Sequence, residues 1–411
     1  MAFRTQVNDA GRRALTDSAR ASRGPKFLAY YYPHNERCQV YAARAARTGV
    51  YVGNELALLE QATPLFEGHQ LPKYCLGRPD LTRWENTMPS AMDRQVEIAE
   101  RYDIGFIFCT YVGSQNGTPV HEFGEPAELF MSMSAGRPFA AMACLDRPRA
   151  VLPIPAGGYV EPGRRFDLTA NTARLIVDQL ATKHWRHDDY LRVGGRPYLS
   201  IAGGGSQGKA YGLGGAQKRS ALSEFIDELR RYSTQKYGID PYLVGIIGRD
   251  IDTFDVWNET AVDAITSYAS LVDLSANALP IQDYGERFGY VRGKWNAIAA
   301  ESDKIFVPSV DLGWDASPRG EPNHPLEEVR GQYPYTPMLV GNTPEVFQNA
   351  VREATRFAHR VPDQSQIVPV FSFNEVAEGS ALLPQTDGSD VSWAYLEALK
   401  AGRTSGLTGE P

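Results

Sequence analysis

Two glutamates three residues apart carry the clearest chemical signal in the sequence. They lie in FSFNEVAEG, residues 371–379, where an apolar run ends and Asn374, Glu375 and Glu378 follow at once. Carboxylates this close perturb each other, so that one is held as the acid while the other stays ionised. Cleavage of a glycosidic bond needs that division. One group protonates the leaving oxygen and the other assists attack at the anomeric centre. An ExxE in a solvated loop would carry no such meaning. The apolar run that delivers this pair gives it one, because polar side chains at the carboxyl end of a barrel strand face an enclosed mouth.

Other side chains stand at comparable places. Tyr30, Tyr31 and Tyr32 end the first apolar run, and alternation sends at least one of them inward, as core or as sugar contact. Asp311, Trp314, Asp315 and Arg319 follow another run. Trp314 is placed to stack on a pyranose ring, and Asp315 or Arg319 to bond its hydroxyls. Ser267 and Tyr268 close a third run and Tyr111 a fourth. His34 and His69 fall in a long loop, where a lone histidine is more often structural than functional. Asp250-Ile251-Asp252 reads as a DxD triplet of the kind that holds a metal in nucleotide-sugar transferases, but nothing nearby supports ligation. The remaining histidines do not cluster, so no metal is expected. The working site list is therefore Glu375 and Glu378 for catalysis. Tyr30, Tyr32, Tyr111, Tyr268, Asp311, Trp314, Asp315, Arg319, Asn374 and His69 are the candidates for binding.

These residues need a frame, and the sequence supplies one. Eight apolar runs recur, at 26–32, 103–112, 139–145, 196–201, 242–247, 264–269, 305–310 and 367–373. Continuous rather than alternating apolar character fits parallel strands buried on both faces. Helical periodicity fills the intervals at 91–101, 169–183, 219–237, 287–300 and 344–359, with Thr343 and Pro344 forming a cap and first-turn proline. Eight strands alternating with helices predict an α/β fold, a (β/α)8 TIM barrel with long strand-to-helix loops; an open doubly wound sheet is the rival. No GxGxxG turn follows the first strand, which argues against a nucleotide-binding sheet, and no cofactor is expected.

Residues 1–25 read as a flexible leader, 26–400 as one catalytic barrel and 401–411, small and polar, as a disordered tail. The segment 33–86 and the glycine-rich 202–215 are the long loops; the latter lacks a GKS or GKT ending and reads as lid or linker. The chain has 411 residues and a net charge of −7, with no lysine- or arginine-dense block. A nucleic-acid partner is therefore disfavoured. No run of ~18 apolar residues offers a membrane span, and the N-terminus lacks a secretory apolar stretch, so the expected location is cytoplasmic. Cys109 and Cys144 sit inside apolar runs as small hydrophobes, and with Cys38 and Cys75 form no CxxC pair.

The closing segment 374–379, followed by Trp393, Leu396, Glu397 and Ala398 in SWAYLEALK, resembles the signature of the WbsX family. Its members are described as glycosyltransferases and are related to glycoside hydrolase family 99, the endo-α-mannosidase type. FLAYYYP at 27–33, PLFEGHQLP at 64–72, RQVEIAERYDIGF at 94–106, YLRVGGRPYLSI at 190–201 and GWDASPRG at 313–320 resemble further family blocks in order. The family commonly has tryptophan where this chain has Val376, and a tryptophan-rich block where residues 143–163 have none. The resemblance implies a glycan substrate and a retaining mechanism through a 1,2-anhydro sugar. By it, Glu375 is the base on the 2-hydroxyl and Glu378 the general acid and then base. Three functions are open at this stage: a glycoside hydrolase or transglycosylase on an α-linked glycan, a glycosyltransferase in surface polysaccharide assembly, and a barrel that binds glycan without turnover.

Overall fold

The computed structural model describes residues 24–32, 59, 62–71, 89–122, 125–133, 136–147, 151–152, 159–160, 164–202, 216–248, 251–275, 277–361, 366–386 and 390–408. The leader to residue 23, His34, Cys38, Cys75, Asp250, the glycine-rich 203–215 and most of the loop 33–86 lie outside them.

All eight apolar runs form strands of one parallel sheet. They are β1 (Lys26–Tyr31), β2 (Ile104–Gln115), β3 (Phe139–Cys144), β4 (Arg196–Ala202), β5 (Tyr242–Ile247) and β6 (Ala264–Ser267), then β7 (Ile305–Phe306), β8 (Val310–Asp311) and β9 (Ile367–Phe371). The order around the sheet is β7-β6-β5-β4-β3-β2-β1-β9-β8. Each of β1 to β6 therefore pairs with its neighbour in sequence, while β1 also pairs with β9. The seventh run has split in two. β7 pairs with β6 and β8 with β9, so the circuit closes through one short stretch of chain, 305–311. Pro308 stands at the changeover, where its missing N–H removes a ladder bond that a continuous strand would need. Val307 still donates to Ile265 O (2.8 Å), and Leu312 already donates to Phe371 O (2.9 Å). The closed barrel, and not the open sheet, is the fold.

Helices cover the outside of the barrel: α1 (Pro89–Tyr102), α2 (Glu125–Met133), α3 (Ala170–Thr182), α4 (Ala216–Tyr237), α5 (Tyr284–Glu301), α6 (Pro344–Ala358) and α7 (Ala394–Thr408). Their starts follow capping chemistry. Thr169, Asp283 and Thr343 each accept the backbone N–H three residues on, and Pro344 opens α6. Between sheet and helices, Tyr31, Phe106, Phe108, Phe130, Phe139 and Phe373 form a buried aromatic layer. Centroids there lie 4.6–6.0 Å apart in the pairs that join Phe106 to Phe373 and Tyr31 to Phe373.

The expected disordered tail is instead helix. α7 runs on to Thr408, and only residues 409–411 lie outside the described residues. Two glycines of this small, polar stretch are what let it pack. A Cβ on Gly402 would stand 2.5 Å from Gln348 O and 2.8 Å from Val351 Cβ, and one on Gly406 2.6 Å from Thr355 Cβ. Their absence lets α7 lie close along α6. We expect Gly402→Val to lower stability by about 1–3 kcal/mol through overpacking, measured by chemical denaturation. A variant as stable as wild type would mean the two helices can separate freely.

Candidate active site

After β9 the chain turns through a small cross-tied loop. Ser372 Oγ accepts the Glu375 N–H (3.0 Å) and donates to Ser380 O (2.6 Å), while Ser380 Oγ donates to Phe371 O (2.8 Å). Ser380 N–H donates to Glu375 O (3.1 Å), and Gly379 takes the left-handed conformation (φ 64°) that ends the turn Val376–Glu378. Asn374 spends its whole amide on the first strand. Its Oδ1 accepts Tyr32 N–H and its Nδ2 donates to Tyr32 O, both at 2.7 Å. It therefore acts as one more ladder rung between the β1 and β9 ends.

On this loop Glu375 and Glu378 are both buried, their side chains 4% and 9% exposed. One guanidinium joins them: Arg319 Nη1 donates to Glu378 Oε1, and Nη2 to Glu375 Oε2 at 3.3 Å. Nη1 also reaches Tyr333 Oη (3.3 Å), and Tyr268 Oη donates to Glu375 Oε1 at 3.5 Å. Burial, and then the charge of Glu375, push the Tyr268 phenol well above its ordinary range, so it stays protonated and able to donate. Tyr111 behaves alike, raised by burial and by its hydroxyl neighbour Tyr32. Two carboxylates against one guanidinium leave the cluster negative, in surroundings where charges interact strongly.

The loop after β8 is fastened to this cluster rather than open to the mouth. Asp315 N–H donates to Glu378 O (2.8 Å), and Asp315 Oδ1 accepts Ser317 N–H (3.0 Å). His69 accepts Leu65 N–H on Nδ1 (3.0 Å), which leaves the proton on Nε2 to meet Asp315 Oδ2 (3.0 Å). Both of these candidates thus hold loops together. Trp314 is 2% exposed and lies over Phe371 with centroids 6.3 Å apart, a core residue rather than an open stacking platform. Tyr30 points into the barrel, edge-on to Tyr268 at 4.8 Å, while Tyr31 points outward into the aromatic layer. Asp311 is buried inside the barrel, and burial raises its carboxyl to about 7.

Of the residues named from sequence, Glu375, Glu378, Arg319 and Tyr268 come together as one polar cluster. Asn374, His69 and Asp315 surround it as supports. Tyr333 belongs to the cluster and was not singled out; the proline-flanked tyrosines of YPYTP, 333–337, were the available signal. Asp252 of the DxD triplet is held by α5, through Lys294 Nζ (2.7 Å) and Tyr290 Oη (2.8 Å). Among the described residues, no group of three or more histidines, cysteines, aspartates or glutamates is arranged to hold a metal. No helix among them is long and apolar enough to cross a membrane.

No family model matches the sequence. No curated protein matches it either. Among solved structures the chain is similar to a family 99 endo-α-mannosidase from Bacteroides thetaiotaomicron, with 12% identity, 93% of this chain and 98% of that chain covered, and a TM-score of 0.54. A structure of a family 99 endo-α-mannosidase in complex with bis-tris propane gives 11% identity, 94% and 98% coverage and a TM-score of 0.55. A glycoside hydrolase-like protein gives 13%, 93% and 94%, and 0.51. At such low identity the likeness is one of fold: this chain has the TIM-barrel architecture on which those glycoside hydrolases are built.

Proposed function

We propose that the chain is a retaining glycoside hydrolase or transglycosylase that acts on an α-linked glycan through Glu375 and Glu378. The observation that carries this reading is the pair of buried carboxylates at the mouth end of β9, bridged by the single guanidinium of Arg319. Roles follow the family 99 resemblance. Glu375 takes the proton of the sugar 2-hydroxyl as O2 bonds to C1, and Glu378 gives a proton to the departing glycosidic oxygen. Water or a sugar hydroxyl then attacks C1, losing its proton to Glu378, while the C1–O2 bond opens and O2 recovers its proton from Glu375.

Arg319 makes this division workable. Its guanidinium bonds both carboxylates, so it must be drawn away from one of them before that group can meet a leaving oxygen. Substrate that draws Arg319 toward Glu375 would free Glu378 for that role, while Tyr268 keeps Glu375 oriented. The same geometry disfavours the nucleotide-sugar transferase reading, since Asp252 is occupied by Lys294 and Tyr290.

The test is incubation of the purified protein with a panel of α- and β-linked oligosaccharides. Products are followed by proton NMR for anomeric configuration, with and without a chelator. We expect cleavage or transfer of an α-linked member with retention, unaffected by the chelator. An inverted product, or stabilisation by a nucleotide sugar with no glycan turnover, would overturn the reading.

A further inference from the structure

Beneath the glutamate cluster the barrel holds a third carboxyl that the mechanism above does not use. Asp311 ends β8 and pairs in register with Phe371, the residue from which the Glu375 loop departs. It is 3% exposed. Its Oδ2 accepts the Leu271 N–H at 2.9 Å, and its Oδ1 has no hydrogen-bond partner among the described residues. The groups that face it are Tyr30 from β1, Tyr284 from α5, and Ser270 with Leu271 from the loop after β6. Tyr284 donates its hydroxyl to the Asp311 main-chain oxygen. None of these groups is a cation.

Tyr30 neighbours both Asp311 and Tyr268. Tyr30 Oη also has no hydrogen-bond partner among the described residues, and Tyr198, Cys109 and Cys144 are its other polar neighbours. The Tyr30 ring meets Tyr268 edge-on at 4.8 Å, and Tyr268 Oη stands 3.5 Å from Glu375 Oε1. The Leu271 N–H and the Ser270 backbone and hydroxyl favour the charged form of Asp311, but burial with no facing cation and with Oδ1 unpartnered outweighs them and favours keeping the proton. An ionised Asp311 would also add a third negative charge below two glutamates that share one arginine.

We propose that Asp311 works as an uncharged carboxylic acid, a positioning residue that steadies the Tyr30–Tyr268 pair under Glu375 and keeps a third charge away from the glutamates. Its burial raises the carboxyl to about 7, in line with the geometry. The folded value lies above the unfolded one. The contribution of this group to stability is therefore complete below the ordinary aspartate range and is lost as pH rises toward neutrality. The link to Glu375 as a base rests on the glycosidase reading; the proton on Asp311 does not.

Asp311→Asn keeps the shape and the neutrality of the acid, so it separates the two. Infrared difference spectra of wild type minus variant at pH 6 should show the C=O stretch of a protonated carboxylic acid, fading as the pH is raised past 7. The Tm of the variant minus that of wild type should climb from pH 4 to pH 8; the slope of this difference is the readout, whatever its value at pH 4. In protein labelled with 13C at glutamate carboxyls, the Glu375 signal, assigned with Glu375→Gln, should show a second inflection near neutrality that Asp311→Asn removes. Absence of the acid band together with a flat Tm difference would overturn the uncharged state. A Glu375 titration identical in the two proteins would overturn the coupling. Neither readout needs turnover, so a failure of the glycosidase reading stays distinguishable.

Discussion

Glu378→Gln should lower turnover of an unactivated glycan by about 10²–10⁴-fold, the usual worth of a positioned acid or base. Glutamine keeps the length of the side chain and an oxygen for Arg319 but has no proton to exchange with the leaving group. The loss should depend on that leaving group. With a glycosyl fluoride, whose departure needs little protonation, the first step of Glu378→Gln should recover to near the wild-type rate. Glu375→Gln should not recover, because the base on the 2-hydroxyl is needed whatever leaves. Single-turnover release of the leaving group from both substrates, beside steady-state rates and melting curves to show that the variants fold, checks this. A Glu378→Gln enzyme with wild-type rates on the natural linkage would sink the assignment.

Arg319→Met should do damage of two kinds. It leaves Glu375 and Glu378 buried and facing each other with no shared cation, and breaking a buried charge network in this way costs about 3–5 kcal/mol. The cost should depend on pH. Near pH 4, around the ordinary glutamate value of about 4.3, protonation relieves the repulsion. The gap to wild type should therefore be small there and widen as pH rises and both groups must ionise. Arg319→Lys restores a charge but not the two-armed geometry that spans Glu375 and Glu378, so it should recover stability more than activity. Denaturation midpoints at pH 4 and pH 7.5 decide the matter. A gap that is constant with pH would mean Arg319 serves through packing alone.

Much of this was legible in the sequence, for physical reasons that differ by element. Parallel strands buried on both faces have to be apolar throughout, and that made all eight barrel positions visible. β5 falls where its apolar run does, at 242–247, and the start of α6 was marked by Thr343 and Pro344. The loop of the candidate site could be read because Glu375 and Glu378 stand directly after such a run. The split of the seventh strand at Pro308 could not be read, because its residues remain apolar on both sides of the change in partner. The end of α7 could not be read from its small, polar composition, because Gly402 and Gly406 answer to a neighbouring helix remote in sequence. The uses of polar side chains were the least visible. Nothing local tells Asn374, committed to Tyr32, from Arg319, committed to both glutamates. Trp314 looked like a sugar platform because its place in the loop was right, but its burial is decided by Phe371 and the rest of the core.

The divided seventh strand also sets where the barrel is thermodynamically weakest. Elsewhere each wall of the circuit is a ladder of four or five register pairs, as between β1 and β2 or β4 and β5. At the seventh position two pairs hold β7 to β6 and two hold β8 to β9. A cooperative unit opens where the fewest contacts must break. The amides of 305–312 should therefore exchange with deuterium sooner than those of Leu199, Ser200 and Ile201, at a free energy below that of global unfolding. Asp311 and the approach to Arg319 sit on that seam. Fluctuation of the wall and access of solvent protons to the interior acid are then the same event, and exchange rates at 305–312 should set how fast that acid equilibrates with bulk water.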